Sequence, residues 1–431
     1  MRTLAKVTPF PRPIPDPTSK KILLIHLESL FPKVMASQER VYRIAERLAK
    51  EHMVDVATTV RDDVELNESK KHLSAVCRHF YPIEPINPMG SQWKRKTRRI
   101  EYFLKNCFLH HPYHYFYGGH HRVMAQLANI IKRNRYDIVQ AEYWYMAKIF
   151  GFIDPGIFKV IDTHDVLFDK KRQQIFQRYS QHLPFFKRSE VDVYRELEIQ
   201  HLKLADMIIS ISSADQRMLT DLHLGNQNLL MPIGQDIDYF KVDTTIGKKD
   251  NIVLFYGSMG GQENIDGFFR LWNQIMPLLK RRVPNVKLLV VGANPPETIK
   301  ALHNGEDVVV TGFVDDVRAY LSRAKVALIP LDVAAGFRGR AVEIMSMEVP
   351  VVGTHRALDC LQIQHGVHGF ISDSNADMAE YAADLLLDDK WSADMGASAR
   401  RLVADRYSIE GTIGKLSEYY LLLPTARRMA A

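Results

Sequence analysis

The sequence predicts an α/β protein built from two facing Rossmann-like domains, each a doubly wound parallel sheet, with a cleft between them. Three observations carry this expectation. At 431 residues, with 46% hydrophobic and 25% charged content, the chain is too long for one ordinary core and too apolar for disorder. Short apolar runs rich in Ile and Val alternate with longer segments of helical period, the pattern of parallel strands joined by crossover helices. The alternation occurs in two sets, separated by LLMPIGQDIDYF at 229–240, where Pro232 and Gly234 interrupt both periodicities.

The first set opens with KILLIHL at 21–27 and an amphipathic stretch through Arg40 to Lys50. It continues with VDVATT from Val54, DIVQAE from Asp137, KVIDTHD from Lys159 and ADMIISIS from Ala205. The second set begins with IVLFYGS at 252–258. The segment after it carries Ile265, Phe268, Phe269, Trp272, Ile275, Met276 and Leu279 on one stripe, the mark of a core-facing helix. VKLLVVG ending at Gly292, VVVTG at 308–312, KVALIPL at 325–331 and VPVVGT at 349–354 follow as strands. The expected organisation is an arm at 1–20, a first domain at 21–230, a second at 231–407, and a C-terminal helix at 408–431 packing back on the first. Ligands of such sheets bind at the carboxyl ends of the strands.

Composition narrows the function classes. The net charge of +7 and pI near 9.0 favour acidic partners such as nucleotide phosphates or anionic lipid. No RNA-binding aromatic signature, zinc-finger spacing or repeat period is found, which argues against nucleic acid. Cys77, Cys107 and Cys360 fit neither a disulfide framework nor a zinc knuckle. The proline-punctuated start lacks a signal-peptide core and no run reaches membrane-span length, so a cytoplasmic location is expected.

The most informative segment is PLDVAAGFRGRAVEIMSMEVPVVGT, from Pro330 to Thr354. A helix beginning near Gly336 would offer free amide groups and a positive dipole end to a phosphate, with Arg338 and Arg340 adding charge-assisted donors. Glu343, three residues beyond Arg340, lies on a similar face one turn deeper, where a carboxylate can accept from both hydroxyls of a ribose. A surface arginine pair with a solubilising glutamate is the plainer alternative.

At these residues the sequence resembles glycosyltransferase family 4, whose fold is called GT-B, and the resemblance runs from about Lys21 to Tyr407. MPIGQDIDYF is similar to the family's interdomain stretch, with Pro232, Gly234, Asp236 and Phe240 in matching positions. YGSMGGQENIDGFF resembles the donor-domain glycine loop and first helix, including Gly257 and Ser258. VTGFVDDVRAYLSRAKVALIPL resembles its base-binding turn, and GFRGRAVEIMSMEVPVV the segment where a glycine and a basic residue precede the ribose-binding glutamate. The sequence also departs from the pattern. Ala335 stands where many members have a second glutamate, the loop Ser258 to Gln262 lacks the usual arginine and lysine, and Met35 and Ala36 replace a glycine pair, whereas Arg40 aligns.

The resemblance implies a retaining transferase that moves a sugar from a nucleoside-diphosphate sugar to a hydroxyl of a glycan or lipid-linked acceptor, in surface polysaccharide or glycoconjugate synthesis, with no cofactor or metal. Its donor site would comprise Gly257, Ser258, Gly312, Phe313, Val314, Gly336, Phe337, Arg338, Arg340 and Glu343, with the base held by the turn Gly312–Phe313–Val314 and Asp315 and Asp316 only capping the next helix. His164, at the carboxyl end of VIDTHDV, would lie near the donor sugar and, with Arg340 and Glu343, form the catalytic set; Arg40 and Asp165 would serve the acceptor side. By residue type alone His164 also reads as a satisfied structural histidine. A nucleotide-sugar epimerase or phosphorylase, or a catalytically silent sugar-nucleotide binder, are the rival readings.

The stretch from Ser91 to Arg122 is the sharpest local shift in composition. Lys94, Arg95, Lys96, Arg98 and Arg99 beside Trp93, Tyr102 and Phe103 suggest attachment of residues 91–110 to an anionic membrane surface at the inner face of the plasma membrane; a solvated helix face is the alternative. His110, His111, His114, His120 and His121 lack the carboxylate partner and firm spacing of a metal site.

Overall fold

A strand covered by helices on both faces has no solvent side, so it must be apolar at every position rather than at alternate ones. Ile22, Leu23, Leu24 and Ile25 of β1 (Lys21–His26) meet that demand and have no exposed surface. The computed structural model describes residues 18–33, 36–84, 120–179, 185–242, 250–332 and 339–424. The chain divides into two compact units, one of Met1–Pro232 with Ile413–Ala431 and one of Ile233–Thr412.

The first unit continues with β2 (Met53–Thr59), β3 (His79–Ile83), β4 (Ile138–Glu142), β5 (Phe158–Asp162), β6 (Met207–Ser210) and β7 (Gln227–Leu230). They form one sheet in the order β3-β2-β1-β4-β5-β6-β7, and every neighbouring pair is parallel. The order reverses at β1. The connection from β1 runs to β2 on one side and that from β4 to β5 on the other, which opens a crevice at the carboxyl ends of these two neighbouring strands.

The second unit repeats the plan. Its strands are β8 (Ile252–Tyr256), β9 (Lys287–Val291), β10 (Val308–Val310), β11 (Val326–Ile329), β12 (Val351–Gly353) and β13 (Gly369–Ile371). They run parallel in the order β10-β9-β8-β11-β12-β13, with the reversal at β8. Two parallel sheets with the Rossmann strand order therefore confirm the fold class read from the sequence. Phe268, Ile275, Met276 and Leu279 are buried on one face of this sheet, with Ile265, Phe269 and Trp272 packed against them. Burying each large side chain of that stripe contributes about 1.5–3 kcal/mol. The helix carrying it changes pitch at Leu271–Ile275, a π turn between Gln262–Arg270 and Met276–Arg282.

The loop after β8 is seated by a close backbone approach. Gly292, at φ +152°, faces the carbonyl of Gly257 so tightly that an added Cβ would lie 1.8 Å from that oxygen, and the Gly257 amide donates to the Val291 carbonyl at 3.0 Å. Only glycine fits there.

The last described helix, Lys415–Leu422, packs on the first unit although it lies at the end of the chain. The Ser417 carbonyl lies 3.2 Å from His52 Nε2, and buried Tyr420 donates its hydroxyl to Gln140 Oε1 at 2.8 Å. Among the described residues no helix is long and apolar enough to cross a membrane.

Candidate active site

In each unit the chemistry gathers where the strand order reverses. At the carboxyl edge of the second sheet, Tyr256 closes β8 and donates its hydroxyl to Glu343 Oε2 at 2.8 Å. Glu343 and Arg340 sit one turn apart on the helix Gly339–Ser346, and the Arg340 guanidinium lies 5.7 Å from the centre of the Tyr256 ring. The inner face of that helix is pinned by Ala341, Val342, Ile344 and Met345, all buried. Arg340 is exposed and Glu343 half-buried. Burial raises the Glu343 carboxyl above its ordinary range, an effect that the Tyr256 hydrogen bond and the Arg340 charge oppose. The same burial, with the Glu343 charge beside it, keeps the Tyr256 phenol protonated. Among the described residues Glu343 Oε1 accepts no hydrogen bond, and with the Arg340 guanidinium it can meet a polar or anionic ligand.

Around this cluster lie other residues expected from the sequence. Gly257 and Ser258 follow Tyr256 directly, and the Ser258 carbonyl accepts from Asn264 Nδ2 at 2.8 Å. Gly312, at φ +70°, turns the chain after β10, a conformation that costs glycine little. Phe313 then stands 75% exposed, while Val314 packs into the core beneath. A large aromatic ring left in solvent beside the strand ends suits stacking on a planar base. Asp316 is tied to Arg318, whose backbone N–H and guanidinium both donate to it, and this pairing lowers its carboxyl from the ordinary range. Ala335, Gly336, Phe337 and Arg338 lie outside the described residues, as do Met35, Cys107, His110, His111, His114 and the basic stretch 91–110. The helix expected near Gly336 is described from Gly339 onward.

At the carboxyl edge of the first sheet, His164 follows β5 in the left-handed region, at φ 54°. Its Nε2 lies 2.7 Å from Glu142 Oε2 at the end of β4, and its ring stacks on Tyr143 with centroids 4.4 Å apart. Tyr143 is also at positive φ, 71°. Two non-glycine residues held in sparsely populated backbone regions side by side mark a place where the surroundings override local preference. His164 is only 5% exposed, so it is less open than a strand-end residue pointing outward. Burial raises the Glu142 carboxyl against the lowering effect of His164. Asp165, half-exposed, pairs with Lys170 at 2.6 Å.

Arg40 corrects one expectation. Rather than facing an acceptor, its guanidinium is buried, with Nε and Nη2 on Asp162 at 3.0 and 2.9 Å and further bonds to the carbonyls of Pro232 at 3.1 Å and Met231 at 2.9 Å. These donors are spent on the frame of the first unit. Glu142, Asp162 and His164 also bring one potential ligand atom each within 4.8 Å of one another. Arg40 pairs with Asp162, and Glu142 meets His164 at 2.7 Å and accepts from the Gln140 amide at 2.8 Å. His120 caps the helix His121–Asn134 by accepting from the Arg122 amide. The buried Cys77 thiol is pushed up to about 12, which keeps it unreactive.

Residues 250–388 match the family model of the Glycosyl transferases group 1. Solved structures extend the likeness to nearly the whole chain. A sucrose-phosphate synthase from Thermosynechococcus elongatus superposes with a TM-score of 0.62 at 16% identity, covering 95% of this chain and 99% of its own. HepE of Anabaena in complex with UDP gives 0.61 at 15% identity, covering 94% and 100%. TarM gives 0.62 at 13% identity, covering 94% and 99%. This chain has the GT-B fold, and its second unit carries the match to the Glycosyl transferases group 1. A search of curated protein sequences gives no match.

In this GT-B protein the matched segment contains Tyr256, Gly257, Ser258, Gly312, Phe313, Arg340 and Glu343. Sequence reasoning missed Tyr256, Glu142 and Asp162. Each is the last residue of its strand, a polar group at the carboxyl end, and that position was the available signal for all three.

Proposed function

We propose that the protein transfers a sugar from a nucleoside-diphosphate sugar to a hydroxyl of a glycan or lipid-linked acceptor, with retention at the anomeric carbon, in surface polysaccharide or glycoconjugate synthesis. The observation that carries the reading is the Tyr256–Glu343–Arg340 cluster at the strand reversal of the matched unit. In this reading Glu343 Oε1 accepts from the ribose and Arg340, with Arg338, stabilises the charge growing on the leaving diphosphate, the term such a reaction most needs. Phe313 stacks on the base over Gly312 and Val314; Gly257, Ser258, Gly336 and Phe337 approach the donor through their backbone. His164 serves the reacting sugar, and Asp165 the acceptor. Arg40 acts only by holding Asp162.

No metal or other cofactor has a part in this proposal, since arginines and helix amides carry the diphosphate charge. Nucleic acid has none either, and a cytoplasmic protein resting on the inner face of the plasma membrane through residues 91–110 fits the acceptor class. The test is nucleotide release from UDP, GDP, dTDP and CMP sugars, with and without candidate acceptors, after a thermal-shift screen picks the donor. Release that depends on an acceptor supports transfer. Binding without release supports the silent binder, and release or interconversion without an acceptor hydroxyl supports a phosphorylase or epimerase.

A further inference from the structure

A buried line of hydrogen bonds joins the C-terminal helix to His164. Tyr420 Oη donates to Gln140 Oε1 at 2.8 Å, Gln140 Nε2 donates to Glu142 Oε1 at 2.8 Å, and Glu142 Oε2 lies 2.7 Å from His164 Nε2. Tyr420, Gln140 and Glu142 have no exposed surface.

The direction of this line follows from the chemistry of its groups. A phenol beside an amide oxygen supplies the proton, so the nitrogen end of Gln140 must face Glu142. Turned the other way, the amide would set its oxygen against a carboxylate oxygen, two acceptors with no proton between them. Glu142 then receives the amide on one oxygen and the imidazole on the other. Between an ionised Glu142 and a neutral imidazole, this contact puts the hydrogen on Nε2 and leaves the lone pair on Nδ1. Nδ1 makes no hydrogen bond to a described residue, and the His164 backbone is fixed separately by its N–H on Asp162 Oδ1 at 3.3 Å and by stacking on Tyr143.

We propose that Tyr420, on the C-terminal helix, is a positioning residue that acts through Gln140 and Glu142 to hold His164 as the Nε2–H tautomer, with Nδ1 as an acceptor for a substrate hydroxyl. The substrate half of this statement rests on the function proposed above. The tautomer half stands without it. Removing the Tyr420 hydroxyl leaves the buried Gln140 oxygen without its donor, loosens the amide, and so loosens the grip of Glu142 on the ring.

The test uses the full chain with ¹⁵N-labelled histidine, in which the His164 ring signals are assigned by their loss in His164→Gln. The parent protein should show the Nε2–H pattern, and Tyr420→Phe and Gln140→Leu should each shift it toward a mixture of tautomers. With the donor sugar found by screening, both variants should lose about two- to tenfold in kcat with an unchanged donor KM, and the double variant should lose little more than either single one. Thermal melts identify folded samples. An unaltered His164 pattern in folded Tyr420→Phe and Gln140→Leu overturns the proposal, as does a parent pattern of Nδ1–H. Tautomer shifts in a protein that turns over no nucleotide sugar uphold the relay and overturn the transferase reading instead.

Discussion

Tyr256 donates its hydroxyl to Glu343 across 2.8 Å, joining the last residue of β8 to the helix Gly339–Ser346. One carboxylate oxygen is thereby committed to the protein, and in the proposed function the other meets the ribose. Tyr256→Phe should weaken nucleoside-diphosphate binding by about two- to tenfold, the effect of losing one hydrogen bond that orients the carboxylate. Calorimetric titration checks it, and an unchanged Kd would mean that Glu343 needs no such support.

Arg340 and Glu343 should separate by kinetic signature. Arg340→Ala removes charge-assisted bonds to the diphosphate, expected to cost roughly ten- to hundredfold, with more lost in kcat than in binding. Glu343→Gln should weaken donor binding with a smaller effect at saturation, because a ribose changes little during transfer. Comparing the nucleoside diphosphate with the free nucleoside supplies the control: Arg340→Ala should erase most of the diphosphate's advantage and Glu343→Gln should keep it. Parent-like binding in both variants would move the donor site elsewhere.

His164→Ala should lower turnover more than nucleotide affinity. Initial rates beside a circular-dichroism melt decide the matter. If the variant merely unfolds, His164 is a structural partner of Glu142 and nothing more.

Glu198 gives a pH signature. Its carboxylate is buried and accepts from the amides of Leu167 and Phe168, at the start of the helix Leu167–Tyr179 just beyond His164. Burial outweighs those two bonds and pushes the carboxyl up to about 8. The folded chain then holds a proton that the unfolded chain, near the ordinary value of about 4.3, releases. Stability from this group is therefore full below the unfolded value and falls as the pH rises toward 8, by an amount on the order of a few kcal/mol. Melting temperatures from pH 5 to 8 should slope downward in the parent more than in Glu198→Gln. The reverse order would show that the two amides dominate and the group is ionised in the fold.

Gly292→Ala should destabilise the second unit on the order of 3–5 kcal/mol, the range of severe backbone and steric defects. The added methyl would press on the Gly257 carbonyl, so nucleotide affinity should fall with stability. Parent-like melting would mean that the loop after β8 can yield.

Legibility in the sequence followed position within the sheets. The strands with neighbours on both sides announced themselves by their density of apolar residues, even where β2 carries Asp55 and β4 carries Gln140, and so did β10 with its three valines. β3 (HFYPI), β7 (QNLL) and β13 (GFI) were not anticipated. All three are edge strands, short, and in β3 and β7 largely open to solvent, so neither an apolar run nor a clean alternation marks them. At the site, Arg340 and Glu343 could be singled out because their spacing lies within one helix. Their link to Tyr256 spans 87 positions, and that of Arg40 to Asp162 spans 122. No local period encodes such pairings, which exist only once the sheet order sets strand ends side by side. Arg40 shows the consequence: its charge and position suggested a ligand contact, and only the fold reveals that Asp162 has claimed it.

The Arg40 guanidinium also ties together three parts of the first unit that are remote in the chain. It rises from the helix Ala36–Leu48, grips the carboxylate that ends β5, and holds the carbonyls of the two residues at which the first pass of the chain through this unit ends. Asp162 spends its other oxygen on the backbone of His164. A tug on the histidine loop is thus transmitted through one carboxylate to the departing chain, and the segment leaving the unit cannot slacken without stranding a buried charge. Mechanically, the histidine and the exit of the polypeptide are fastened to the same rivet.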